Sequence, residues 1–507
     1  MGLRQLFKHW SVAIFSPGKL LRRKYSAFKE LLHHDKRCLE LISDFEDIVQ
    51  GPSPLDWARM ASLVRALLWS TGRLVSSLGT MHPRTYRDLE ERFHQIESAL
   101  VKAISLPDGD TGPPYTITLD EAAKAPELAG GKASTLSRVL QENRLPGPRG
   151  FVVTTNAFRY YLKHNQLRHR LDELLGQVLL ADLSSFADFS RQMTALVQGA
   201  EIPPVVTAEI ARRLDELRQQ GIEGPWALRS SALSEDGTAS FAGQFASILP
   251  VAAHEVSDAY KQVLASKYSP RAVAYRIRVG LADQETPMAV LFLEMIDAVM
   301  SGVVYTQSPQ ADDPAAACVE VFAQTGLGRR LMDGGGLPEV LYLSREPDPH
   351  PLRRPAHAHN QESAPGLTSE SALQLARWGM KIEETAGQPQ DIEWCQDNRG
   401  NLYILQSRPL DIGSVRPPDG GAEPESLEIA NPILLEGGVV ASAGLGMGPV
   451  SLVKGDEDLA NVPEGAVLVS PTLPPAIAAI IPRLSAAVAD QGSRASHFAM
   501  VARAHGP

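Results

Sequence analysis

Several stretches of this chain hold residue types that can do phosphate chemistry. One is the turn Asp490-Gln491-Gly492-Ser493-Arg494-Ala495-Ser496-His497, which runs into the apolar-periodic stretch Phe498-Ala499-Met500-Val501-Ala502. The pattern predicts a helix capped by Ser496 with His497 in its first turn. Unpaired amides and the positive end of the helix dipole stabilise a phosphate at such a place. An imidazole can also carry a phosphoryl group covalently, as a nucleophile. Read alone, a histidine in a Gly/Ser turn is more often an ordinary surface residue.

Gly130-Gly131-Lys132-Ala133-Ser134 is expected to open a helix, where backbone amides and an ammonium can meet a phosphate. It is not the P-loop pattern, and such a tripeptide also arises by chance. Trp226-Ala227-Leu228 runs straight into Arg229, Ser230 and Ser231, followed by Ser234, Glu235, Asp236 and the small residues up to Gly243 and Gln244. That is the composition of a loop closing over a charged ligand, with an arginine able to grip a phosphate in bidentate fashion; a Ser/Gly-rich surface loop is the alternative. Gln390 to Pro409 reads as a hairpin turning at Asp397 to Gly400. Alternation puts Asp391 and Glu393 on one face, and Gln406 and Arg408 on one face of the partner strand. Such a set suits magnesium held between protein oxygens and nucleotide phosphates, with the arginine balancing charge. The other reading is cross-strand charge pairing on an exposed sheet face.

These groups need a large frame to position them. A chain of 507 residues is too long for one core. Its charged fraction of 21% and hydrophobic fraction of 44% are those of an ordinary globular protein. A net charge of -10 argues against a nucleic-acid binder held by phosphate contacts. Cys38, Cys318 and Cys395 lack metal-ligand spacing and read as buried apolar residues in a reducing compartment, which implies a cytoplasmic location. The apolar run from Leu6 to Phe15 is broken by Lys8 and His9 and reads neither as a signal peptide nor as a membrane span. With Lys19, Arg22, Arg23 and Lys24 it either lies on an anionic membrane surface or, the favoured reading, forms a terminal helix packed on its own domain.

Residues 25 to 104 are helical by pattern: Phe28, Leu31, Cys38, Ile42, Phe45 and Val49 make one stripe, Met60, Leu63, Leu67 and Leu74 a second, and Leu89, Phe93, Ile96 and Leu100 a third. Asp56 is placed to cap the second helix. After the turn-rich linker 107–114, strands alternate with helices. Met288 to Met295 and Ser301 to Tyr305 are expected as buried strands around a bend at Asp297, and Glu320 to Ala323 as another. His350, His357 and His359 fall in a Pro-rich insertion and read as solvated rather than metal-binding.

The motifs Gly130-Gly131-Lys132, Arg229-Ser230-Ser231-Ala232, Ser240-Phe241-Ala242-Gly243-Gln244, Gln390-Asp391-Ile392-Glu393-Trp394 and Leu405-Gln406-Ser407-Arg408-Pro409 stand in the order found in one family, as does Ser266 to Arg276. The chain from about residue 115 onward resembles the phosphoenolpyruvate synthase (pyruvate, water dikinase) and pyruvate phosphate dikinase family. The resemblance implies a multidomain α+β and α/β fold. After the helical region 1–106 and linker 107–114 read from pattern, the resemblance gives a two-lobed ATP-grasp domain 115–410, a linker 411–431 and part of a swivelling phosphohistidine α/β domain at 432–507. It also implies transfer of the β-phosphoryl group of ATP to a histidine, with release of AMP and phosphate, and then to a small acceptor such as pyruvate.

Carried over position by position, Lys132, Arg229, Ser230, Glu294, Met295 and Gln406 would bind ATP, Asp391, Glu393 and Gln406 would hold magnesium, and Arg408 would stabilise the transferring group. Arg229 would act with it in catalysis, and His497 would be the carrier. No nucleic acid or membrane span is implied, and a homodimer is left open. The acceptor domain is expected beyond Pro507. Three positions depart from the family pattern: Arg329 replaces a glutamate, Leu293 a glutamine and Ala495 a threonine. Arg329 and Ala495 favour the alternative, an ATP-binding regulatory module with impaired catalysis.

Overall fold

The computed structural model describes residues 17–50, 56–107, 109–178, 183–233, 244–308, 318–328, 338–352, 367–410 and 438–505, the last without 439, 443, 456–457, 460–461, 475–476, 478–479 and 482. Glu235, Asp236, Ser240, Arg329, His357, His359 and the linker 411–431 lie outside the described residues. The helices run α1 Pro17–Gln50, α2 Trp57–Met81, α3 Arg87–Ile104, α4 Pro126–Asn143, α5 Thr155–His164, α6 Leu167–Leu175, α7 Leu183–Gly199, α8 Pro204–Gln219, α9 Val256–Ser266, α10 Pro270–Arg278, α11 Ser369–Ala386 and α12 His497–His505. The strands are β1 Thr116–Thr118, β2 Gly150–Val153, β3 Trp226–Ala232, β4 Ser247–Val251, β5 Met288–Glu294, β6 Ala298–Tyr305, β7 Val319–Thr325, β8 Glu339–Leu343, β9 Gln390–Asp397, β10 Leu402–Pro409, β11 Val450–Leu452, β12 Ala466–Ser470 and β13 Leu484–Ala489. No described helix is long and apolar enough to cross a membrane.

One compact unit gathers Met1–Thr111, Arg159–Glu201 and Tyr268–Pro287. Within it α1 packs on α2 through Ala27, His34, Cys38 and Leu41, while Phe28 and Ile42 of the expected stripe face outward. The buried side of α1 thus runs through Ala27, His34, Cys38 and Leu41, rotated from the stripe that periodicity picks out. In α3 only Phe93 of the expected set is buried; Leu89, Ile96 and Leu100 are exposed. Asp56 caps α2, its Oδ1 accepting from Ala58 N at 2.7 Å, as the pattern predicts. Its Oδ2 accepts from Arg276 at 3.2 Å, and Arg276 also donates to Asp283 at 2.8 Å. Asp283 further accepts from Arg168 at 2.7 Å and the Tyr268 hydroxyl at 3.1 Å. This network, buried except for the partly exposed Arg168, joins three separated stretches of chain, and within Ser266 to Arg276 it accounts for Tyr268 and Arg276 as structural groups.

The other unit holds Gly112–Phe158, Ile202–Lys267 and Met288–Pro507. Its first sheet has the order β1-β2-β5-β3-β4 and its second β10-β9-β6-β7-β8, with antiparallel neighbours throughout. β5 and β6 flank the bend at Asp297 but belong to different sheets, so that bend carries the chain from one sheet to the other. Ala129, Ala133 and Leu136 of α4 and Leu375, Ala376 and Ile382 of α11 share one core with Val152, Leu291, Val304, Ile392 and Trp394 from both sheets. A third, parallel sheet, β11-β12-β13, packs with α12 around Val462, Leu468, Ile481, Phe498 and Val501.

A helix opens at Gly130 as expected, but a short helical stretch from Pro126 precedes it, and the two meet at Gly130, whose φ of 73° and ψ of 174° are non-helical. The break lies against β3. Ser231 Oγ donates to Ala129 O at 2.7 Å and accepts from Ala133 N at 3.0 Å, and a Cβ on residue 130 would meet Ser231 O at 1.9 Å. Gly130→Ala is therefore expected to destabilise the protein by about 3 kcal/mol or more, from backbone strain and overpacking together. The check is a drop in the midpoint of denaturant unfolding at unchanged slope.

Candidate active site

β3 and the β9–β10 hairpin bring their polar residues to one place. Arg229 donates to Gln406 Oε1 at 3.2 Å and to Glu393 Oε2 at 3.1 Å, so one guanidinium spans from the first sheet to the second. Lys132, in the turn of α4 restarted after Gly130, donates to Ser230 Oγ at 3.3 Å and adds its field to that of Arg229 at Glu393. Asp391 and Arg408 face each other in register, as do Glu393 and Gln406. A bulge between Ile404 and Gln406 makes this pairing. Cross-strand partners share a face, and in an unbroken register Gln406 would stand opposite Ile392, on the other side of the sheet from the carboxylates.

Asp391 is buried; its Oδ2 accepts from Arg408 Nε at 2.9 Å and lies 2.8 Å from Arg408 Nη2. Its Oδ1 is buried without a hydrogen-bond partner. Burial pushes the Asp391 carboxyl above its ordinary range; Glu393 adds to the effect and Arg408 opposes it. Burial acts in the same sense on Glu393, but Arg229, Arg408 and Lys132 outweigh it and hold that carboxyl below its usual value. One carboxylate is thus ionised and already matched by cations. The other keeps an oxygen that hydrogen bonding leaves open.

Among the described residues no three His, Cys, Asp or Glu form a metal-binding group. Two carboxylates and the amide of Gln406 do not make a closed cage. They fit a magnesium ion that takes its remaining ligands from water and phosphate, and the open Oδ1 of Asp391 is the atom such an ion would satisfy. His350 is tied to Ser344 and belongs to no such group.

Glu294 and Met295 are not gathered into this cluster. Glu294 pairs with Trp226, three residues along the ladder from Arg229, and its Oε1 accepts from Arg149 N at 2.8 Å. Met295 packs on the shared core, and Leu293 is buried in it.

The histidine turn is built as the sequence predicts. His497 opens α12, and Ser496 Oγ caps it by accepting from Ala499 N at 3.3 Å. Its seating on the second sheet was not legible from the pattern. Arg494 donates to the Tyr342 hydroxyl at 2.9 Å and lies 3.4 Å from Oε2 of the fully buried Glu320. The Tyr305 hydroxyl and Arg503 both donate to Arg494 O, at 3.2 Å and 3.0 Å. Ala495, at the position of the absent hydroxyl, is buried among Val303, Tyr305, Phe322 and Leu410. Arg408, while holding Asp391, also touches the sulfur of Met500, on the first turn of α12. A lone glutamate in the apolar strand Val319–Thr325 was the one available signal, because a buried carboxylate requires a partner.

Two antiparallel sheets share a core and hold cations against carboxylates, and a small parallel-sheet module follows them, an arrangement suited to binding a nucleotide. Residues 126–421 match the family model described as pyruvate phosphate dikinase, AMP/ATP-binding domain, and residues 462–506 match that of the PEP-utilising enzyme, mobile domain. The chain belongs to the pyruvate phosphate dikinase AMP/ATP-binding domain family.

A probable phosphoenolpyruvate synthase of Archaeoglobus fulgidus is 30% identical over 398 residues, covering 74% of this chain and 52% of that protein. The phosphoenolpyruvate synthases of Pyrococcus furiosus and Deinococcus radiodurans are each 29% identical, covering 74% of this chain and 53% and 51% of theirs. The chain spans about half the length of these curated relatives.

Proposed function

We propose that this chain carries out the first half of a dikinase reaction, moving the β-phosphoryl group of ATP to His497 with release of AMP and phosphate. The observation that supports it is the reach of Arg408: one guanidinium holds Asp391 and touches Met500, on the helix that begins at His497. Lys132 and Arg229 would bind the phosphates, and Asp391, Glu393 and Gln406 would hold magnesium, which when bound supplies charge neutralisation on those phosphates. Arg408 would meet charge developing on the transferring group. Because such transfer is mostly positioning and electrostatics, the rigid core beneath β3, β9 and β10 is itself part of the mechanism. The phosphoryl group would then pass to a small acceptor such as pyruvate, in a cytoplasmic enzyme.

The test is incubation of the protein with magnesium and ATP labelled at the β position. An acid-labile, base-stable label is expected on the native protein, and at least a thousandfold less on His497→Ala. Equal label on both would overturn the proposal. Binding of magnesium-ATP by calorimetry without any AMP release would instead favour a nucleotide-binding regulator, the reading that the apolar seat of Ala495 supports.

A further inference from the structure

The N-terminal half of α1 has a second apolar face that no described residue of its unit covers. Leu21, Tyr25, Phe28 and Leu32 are exposed, Leu21 by 70% and Tyr25 by 59%. At 3.6 residues per turn they fall within an arc of about 60°. The residues that pack on α2, beginning at Ala27, lie on a different side of the helix. Arg22 and Lys29 line one flank of this stripe and Lys24 the other, while Lys19 and Arg23 fall on the far side of the helix.

Charge is segregated as sharply. All 59 acidic residues of the chain lie beyond Lys29, whereas Arg4, Lys8, Lys19, Arg22, Arg23, Lys24 and Lys29 precede the first of them, Glu30. Among the described residues no ion pair engages Lys19, Arg22, Arg23 or Lys24, and Lys29 lies over the Tyr25 ring at 4.9 Å. Farther along, Lys36 and Arg37 are matched by Glu40, and Asp35 interrupts the stripe itself.

We infer that residues 17–33 form an interfacial docking surface for a membrane rich in anionic lipid. The apolar stripe would enter the headgroup boundary and the flanking cations would meet lipid phosphates and carboxylates. A second copy of the chain is the poorer occupant. A homomeric seam would set this acid-free cationic flank against the same charges, or against the few acids farther along the helix, whereas an anionic surface matches all of it.

The full chain would be sedimented with vesicles of phosphatidylcholine alone and of equal parts phosphatidylcholine and phosphatidylserine. Binding is expected only to the anionic vesicles, and it should weaken as salt is raised. Arg22→Gln with Lys29→Gln should lower partitioning by about 25-fold, at about fivefold per cation. Phe28→Glu should abolish it. Both sites are exposed, and helical circular dichroism checks that the fold is kept. Equal binding to neutral vesicles, no binding at low salt, or unchanged binding by the variants would each overturn the inference. So would a Phe28→Glu variant that falls in sedimenting mass without vesicles, which would make the stripe a seam between copies.

Discussion

Asp391→Asn is expected to slow labelling of His497 by about a thousandfold and to raise the magnesium needed for ATP binding, with little change in fold. The reason lies in how the two oxygens of Asp391 are used. Oδ2 takes both Arg408 nitrogens and Oδ1 has no partner. Asparagine can keep an oxygen toward Arg408, but it then presents an amide nitrogen where an anionic oxygen stood, and that nitrogen repels a cation.

Asp391→Ala tests the structural half of the same claim. It strands Arg408, whose side chain is 13% exposed, beside one remaining carboxylate, and breaking a buried pair from one side costs about 3–5 kcal/mol. Removing both members with Asp391→Ala and Arg408→Leu should cost less than the sum of the single changes, because no uncompensated charge remains. Denaturant unfolding of the three variants measures this, and calorimetric titration with magnesium-ATP measures the first effect. A native magnesium requirement and labelling rate in Asp391→Asn would remove Asp391 from the site.

The second large effect should come from a residue with no place in the nucleotide cluster. Arg494→Met is expected to cut His497 labelling by about a hundredfold, roughly 3 kcal/mol of lost positioning, while magnesium-ATP binding stays unchanged. Arg494 is the cation 3.4 Å from Glu320, which is fully buried and otherwise accepts one bond, from Ser308 at 2.6 Å. Without Arg494 that carboxylate is left uncompensated. The seated turn then loses its preference for the sheet, because seating it would exclude water from an unpaired charge.

The added change Glu320→Gln removes the uncompensated charge and should recover part of the labelling, about tenfold. That recovery separates an electrostatic latch from a general loss of packing. An Arg494→Met variant that labels at the native rate would show that the turn is held by Ala495 and Arg503 without it.

Much of the site was legible because its chemistry is local. Ser496 and His497 fall at a helix start for reasons contained in a few residues, and the hairpin with its Asp397 turn follows from alternation and turn chemistry. Asp397 accepts from Arg399 N and Asn401 N, at 2.9 Å and 2.8 Å, as that turn requires. Burial in the first helices was less legible. Periodicity identifies a stripe, but whether Ala27 or Phe28 faces the core depends on which side of α1 the neighbouring helix packs.

By itself the sequence determined the family, the elements and the residue types at the site, because motifs, caps and strand alternation are encoded over short spans. The tertiary structure decided which of those residues meet. The bulge after Ile404 turns Gln406 onto the face of Asp391 and Glu393. Arg229 crosses from one sheet to the other because α4, clamped on β3 by Ser231, shares a core with both. Ala495 lies among apolar residues because the turn is seated on β6 and β7. Each of these depends on register or on packing between segments distant in sequence, and side-chain type does not specify either.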